Sequence, residues 1–121
     1  MSESLKLIHQ AKLDEAAKIA KVLANPTRIQ ILNLLEQDRL NVGELVAALG
    51  SEQSTVSHQL QKLRAYQLIS QERIGKSVYY ELDDPHIVDT LNQLLGHVDH
   101  LLLGEDHAGK HLPDCFHVEK E

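Results

Sequence analysis

Between Asn41 and Leu63 the chain writes two helices separated by a single glycine, and this punctuation constrains the fold more than any other feature. Asn41 followed three residues later by Glu44 has the form of a capping box, in which each side chain satisfies the other's free backbone N–H. Gly50 closes the helix so opened, because glycine enters the left-handed conformation at a helix end without a Cβ penalty. Ser51 then stands as the next cap. A longer helix, from about Glu52 to Tyr66, carries Val56, Leu60 and Leu63 on its inner side. Two helices joined by a tight glycine turn form a helix-turn-helix.

The flanking segments supply the rest of a small domain. Leu5, Ile8, Leu13, Ala16, Ala17, Ala20 and Leu23 fall on one stripe, which predicts a helix from Leu5 to Leu23. Pro26 opens the next helix, since proline suits a first turn whose N–H has no partner anyway. Ile29, Ile31, Leu32, Leu34 and Leu35 cover a wide arc of it, so it is expected to be largely buried and to end near Asp38. After Leu68 the period becomes alternating: Val78, Tyr80 and Leu82 face one way, Tyr79 and Glu81 the other, with Gly75 and Lys76 at the turn of a β-hairpin. Asp84 as cap and Pro85 at the first position open a last helix to about Leu103, ended by Gly104. The expected fold is mainly α (α+β): a winged helix-turn-helix with a two-stranded hairpin wing, its long N- and C-terminal helices forming a dimer interface. Residues 1–104 are expected to be one DNA-binding and dimerisation domain, and the polar residues 105–121 a flexible, His-containing tail.

Composition removes several function classes. Met1 to Gln10 lacks the charged and apolar run of a signal peptide, and no stretch nears the ~18 apolar residues of a membrane span. The single cysteine, Cys115, cannot form an intrachain disulfide. These features point to the cytoplasm and to no membrane partner. Cys115 has no base beside it, and Ser57 and His58, neighbours on a helix, point about 100° apart. No enzyme activity or small-molecule substrate is therefore expected. The net charge of −6 argues against nucleic acid at first sight. Its distribution does not: residues 1–50 balance, residues 51–80 are locally basic, and the acidic excess follows residue 80.

A helix that enters the major groove of double-stranded DNA presents short polar side chains near its N-terminus. Gln53, Ser54, Thr55, Ser57 and His58 are such a series, with Gln suited to adenine edges and Ser or Thr to bases and phosphates. Lys62 and Arg64 add backbone contacts. Arg73, Lys76 and Ser77 at the hairpin tip reach the adjacent backbone or minor groove. Each residue taken alone is an ordinary solvated side chain; the signal is their order along a winged-helix sequence.

Six of the eight histidines lie after residue 85. Asp84, His86, His97 and His100 are an oxygen and three imidazole donors, a set that completes a tetrahedral zinc site. His97 and His100, three apart, share a helix face. His86 and His97 lie only about 20° apart around the helix, yet ~16 Å apart along it. Zinc–ligand bonds are ~2 Å long, so one straight helix cannot bring all four groups to one ion. Two antiparallel copies can, with Asp84 and His86 of one chain facing His97 and His100 of the other, and the two-fold axis makes two equal sites. Ile87, Leu91, Leu94, Leu95, Val98, Leu101 and Leu102 supply an apolar stripe for the pairing. His107, His111, Cys115 and His117 in the tail are candidate accessory ligands, or incidental residues of a polar tail.

The segments LANPTRIQILNLL, SEQSTVSHQLQKLRAYQLI and RIGKSVYYEL, with Asp84-Pro85-His86 followed by His97-Val98-Asp99-His100, resemble the ArsR/SmtB family of metal-sensing repressors across residues 14–103. The last motif is similar to the zinc-sensing, CzrA-like subgroup, whose ligand pattern matches Asp84, His86, His97 and His100. The resemblance implies a homodimer that represses when metal-free, binds an inverted-repeat operator, and releases it when Zn²⁺ binds between subunits. Genes for metal efflux or sequestration would then be derepressed. Thiolate-based sensors of the family carry cysteine in the segment that here reads NVGELVAAL, so thiolate sensing is not implied. Nickel and cobalt sensors recruit tail histidines, which keeps Co²⁺ and Ni²⁺ as alternative ligands. A winged-helix regulator blind to metal, and a metal-storage protein, are the remaining alternatives; tight metal binding tests the first and operator binding the second.

Overall fold

The computed structural model describes residues 4–103, and the chain divides into two compact units at the Asp84–Pro85 junction. In the first, α1 spans Gln10–Leu23, α2 Pro26–Gln37, β1 Leu40–Asn41, α3 Val42–Leu49, α4 Gln53–Ala65, β2 Ile69–Ile74 and β3 Ser77–Leu82. In the second, α5 spans Pro85–Leu102. Among the described residues, five helices and a small antiparallel sheet make a mainly helical winged helix-turn-helix, as the sequence predicts.

Signals read from the sequence mark the start of α2 and both ends of α3. The Asn25 side chain accepts from the Arg28 N–H at 3.0 Å, and Pro26 follows it at the start of α2. At α3 both halves of the capping box form: the Glu44 N–H donates to Asn41 Oδ1 at 2.8 Å, and the Asn41 N–H to Glu44 Oε1 at 3.0 Å. Gly50 closes α3 with φ 65°, a conformation that costs a side-chain-bearing residue free energy. Ile31, Leu32 and Leu35 of α2, Leu45 of α3, and Val56, Leu60 and Leu63 of α4 form the buried centre of this unit. Each such aliphatic side chain contributes roughly 1.5–3 kcal/mol by leaving water.

Three details differ from the sequence reading. α1 begins at Gln10 rather than Leu5, after His9, whose Nδ1 accepts the Ala11 N–H at 3.3 Å. Leu5 and Ile8 fit the helical stripe but are 79% and 58% exposed, so no burial offsets the entropy of fixing that extra turn. The cap of α4 is Glu52, not Ser51, and it makes no side-chain capping bond. At its other end α4 stops at Ala65 through a paired turn: the Gln67 N–H bonds to the Arg64 carbonyl at 2.9 Å and the Leu68 N–H to the Leu63 carbonyl at 3.1 Å. This is a Schellman closure, with Gln67 rather than glycine at positive φ (61°).

The wing also gains a strand. The sheet order is β1-β3-β2, with Leu40 opposite Tyr80 and Asn41 opposite Tyr79, so the predicted hairpin is three-stranded at its middle. The hairpin register runs from Ile69 opposite Leu82 to Ile74 opposite Ser77. Gly75 and Lys76 form the two-residue turn, Gly75 at φ 64°. Tyr79 is half-buried rather than solvent-facing, and Arg39 lies 6.0 Å over its ring.

α5 is one unbroken helix of 18 residues. Val88 and Leu91 are buried, whereas Leu94 and Leu95 are 49% and 38% exposed. Gly104 and the predicted tail, residues 105–121, lie outside the described residues.

Candidate nucleic-acid interface and metal ligands

The short polar residues gather where α4 begins. Gln53, Ser54, Thr55 and His58 are exposed and Ser57 is half-buried, while Val56 and Leu60 between them point into the core. The core residues therefore fix which face of α4 is presented. Because Glu52 provides no side-chain acceptor, the first-turn N–H groups of α4 are available to an external oxygen such as a phosphate. Lys62 and Arg64 are exposed in the second half of the helix. At the wing, Arg73 and Lys76 are exposed and Ser77 is half-buried, all within one residue of either strand's tip.

Two sets of interactions that sequence reasoning missed hold these elements. Arg28 on α2 donates through its Nη1 to Gln59 Oε1 on α4 at 2.6 Å, and through its Nε to the Val22 carbonyl at the end of α1. One guanidinium thus ties α4 to the α1–α2 junction. The residues lie 31 apart in sequence, and no local pattern announces the pairing. Arg39, just before β1, reaches Glu72 Oε1 on β2 at 3.4 Å as well as covering Tyr79. That pair is exposed, so it orients the wing more than it stabilises the fold.

Of the predicted metal ligands, Asp84 is half-buried immediately before α5, and His86, His97 and His100 are exposed on it. The continuity of α5 keeps His86 and His97 on nearly one face and ~16 Å apart along its axis. Among the described residues no three His, Cys, Asp or Glu side chains gather closely enough to hold one ion. The donor chemistry fits zinc, but a single chain brings only part of the set, such as His97 with His100, to one place. His107, His111, Cys115 and His117 lie outside the described residues.

Residues 25–71, which run from the α2 cap through the first residues of the wing, match the family described as bacterial regulatory protein, arsR family. The chain is 41% identical over 90 residues to the HTH-type transcriptional regulator NmtR of Mycobacterium tuberculosis, covering 74% of this chain and 75% of that one. Its fold is similar to the AntR antimony-specific transcriptional repressor, with a TM-score of 0.72, 32% identity and coverage of 81% and 89% of the two chains. It is also similar to the homodimeric winged helix-turn-helix DNA-binding domain of Mb0332 from Mycobacterium bovis, with a TM-score of 0.69, 29% identity and coverage of 79% and 92%. These relatives are transcriptional regulators and DNA-binding domains rather than enzymes. The cap-defined helix pair, the polar-started α4, the basic-tipped wing and these likenesses make the chain a member of the ArsR/SmtB family of winged-helix, DNA-binding transcriptional repressors.

Proposed function

We propose that the chain is a zinc-responsive repressor that works as a homodimer in the cytoplasm. The metal-free dimer places its two α4 helices in successive major grooves of an inverted-repeat operator, about 34–36 Å apart. Residues 1–104 form the DNA-binding and dimerisation domain, and residues 105–121 a tail able to lend accessory ligands.

The observation that carries the metal reading is the unbroken α5. It fixes two donors near its start and two near its end, too far apart for one ion. A second copy, antiparallel, resolves this: Asp84 and His86 of one chain with His97 and His100 of the other would hold the ion, twice per dimer. The exposed Leu94 and Leu95 on the same helix, and Leu13 on α1 at 43% exposure, are suited to the pairing. Held by Asp84 and His86 of one chain and His97 and His100 of the other, zinc would supply positive charge at the interface, and these side chains would favour one arrangement of the two protomers. If that arrangement fits DNA less well, zinc lowers operator affinity, and DNA lowers zinc affinity by the same factor. The genes released would be those for metal export or sequestration.

Titrating a fluorescent operator with the metal-free protein, then adding Zn²⁺, Co²⁺ and Ni²⁺ in turn, tests this. Zinc is expected to weaken binding by a coupling of about 1–3 kcal/mol. Zinc that tightens operator binding contradicts the derepression mechanism. A response to nickel or cobalt but not to zinc transfers the same mechanism to those ions.

A further inference from the structure

Beside α4 the structure has a groove of about 450 Å³ that none of the sequence motifs marks. Lys18, Lys21 and Val22 from α1, Arg28 from α2, Lys62 from α4 and Tyr66 just after that helix line it. Among the described residues, Lys21, Arg28 and Lys62 have no carboxylate within ion-pair distance, and only Lys18 has one, Glu15 at 3.1 Å. The hydrogen bond that Lys18 donates to Glu15, and the charge of that carboxylate, raise the Lys18 pKa. A chain with net charge −6 thus gathers four cations around one concavity. Like charges so placed repel one another, and an anion among them relieves that repulsion.

We propose that this groove is a second phosphate-binding surface of the operator complex, taking backbone phosphates of the duplex alongside α4. The inference rests on α4 being the recognition helix. Lys62 follows His58 by four residues, which puts it about 40° further around the helix and ~6 Å along it. The groove therefore continues the face that carries the base-reading residues. Arg28 is engaged with Gln59 and the Val22 carbonyl, so it shapes the wall. The lysines are left as flexible point charges, the kind of group that positions a phosphate backbone without reading sequence. A dedicated pocket for a free phosphate would instead be built from buried polar groups, and among the described residues no polar side chain is buried. The groove also avoids the face of α1 proposed for dimerisation: Lys18 lies about 140° around the helix from Leu13.

The test is operator affinity as a function of salt for the full chain, for Lys18→Gln/Lys21→Gln, and for Lys18→Arg/Lys21→Arg. Each phosphate contact contributes about 0.9 to the slope of log K against log salt. The Gln variant removes two lysines from each protomer of the dimer and is expected to lose about 3.6 from that slope, and roughly 4,000-fold in affinity at 0.1 M salt relative to 1 M, equally on operator and on an unrelated duplex. The Arg variant, which keeps the charge, is expected to keep the slope. An unchanged slope in the Gln variant, with the unaltered chain binding its operator normally, overturns the groove while leaving the recognition helix standing. Calorimetric binding of inorganic phosphate, abolished in the Gln variant without a change in DNA slope, assigns the groove to a free anion and also overturns the proposal. Failure of the unaltered chain to bind any operator removes the recognition-helix reading, and the groove proposal with it.

Discussion

α4 and α5 are both amphipathic helices with polar residues on an exposed face, yet one chain completes only the first of them. On α4, Val56, Leu60 and Leu63 are sealed into the core, and the Arg28–Gln59 bond adds a polar tie, so Ser54 and His58 are presented in a fixed direction. On α5, Val88 and Leu91 are buried, while Leu94 and Leu95 are 49% and 38% exposed and the proposed ligands are spread along the helix. A helix whose exposed face is polar is ready to meet a ligand. A helix whose exposed face mixes large apolar residues with histidines is, on the proposed reading, ready to meet a copy of itself. On the proposed reading, DNA reading belongs to the protomer and metal sensing to the dimer.

Changing Ser54, Ser57 and His58 together to Ala separates the two helices most sharply. Operator binding is expected to fall to the non-specific level, a loss of about 4 kcal/mol or more, with zinc affinity unchanged in calorimetry. Retention of specific binding removes α4 as the reader. A buried change affects both functions: Leu63→Ala, at a position with no exposure, is expected to cost about 2–5 kcal/mol in urea denaturation. Leu94→Gln, nearly half exposed, is expected to leave protomer folding unaltered and to raise the dimer dissociation constant in sedimentation experiments. His97→Ala is expected to remove the zinc effect of about 1–3 kcal/mol on operator affinity and leave metal-free binding intact. The smallest effect concerns the α3 cap: Asn41→Ala is expected to lower stability by about 1 kcal/mol, read from the denaturation midpoint.

The parts of the fold that were legible in the sequence are those set by local rules. Asn41 with Glu44, Gly50, Pro26 and Gly75 each determine the backbone within a few residues, and each stands where expected. The recognition face was legible for the same reason, since Val56, Leu60 and Leu63 fix the rotation of α4. What stayed hidden depends on meetings between distant residues. β1 is two residues long, too short for an alternating pattern, and exists because β3 supplies its hydrogen bonds. Arg28 and Gln59 read as ordinary polar residues until the fold joins them. Gln67 takes positive φ without the glycine that would have announced the end of α4. The extra turn expected of α1 shows the converse, because periodicity marks an apolar face and not whether anything covers it. The cation groove unites residues of three helices, and no linear motif contains it.

On the proposed reading two chains share each metal site, and mixing two variants that each lack half the ligands asks whether they do. One carries Asp84→Ala with His86→Ala, the other His97→Ala with His100→Ala. Each homodimer lacks half the ligands at both sites. In the heterodimer, one site combines His97 and His100 of the first variant with Asp84 and His86 of the second and is complete, while its mate has lost all four groups. Purified heterodimer is expected to bind one zinc ion tightly and to regain zinc-dependent release of the operator. A heterodimer that binds zinc no better than its two parents contradicts the shared site.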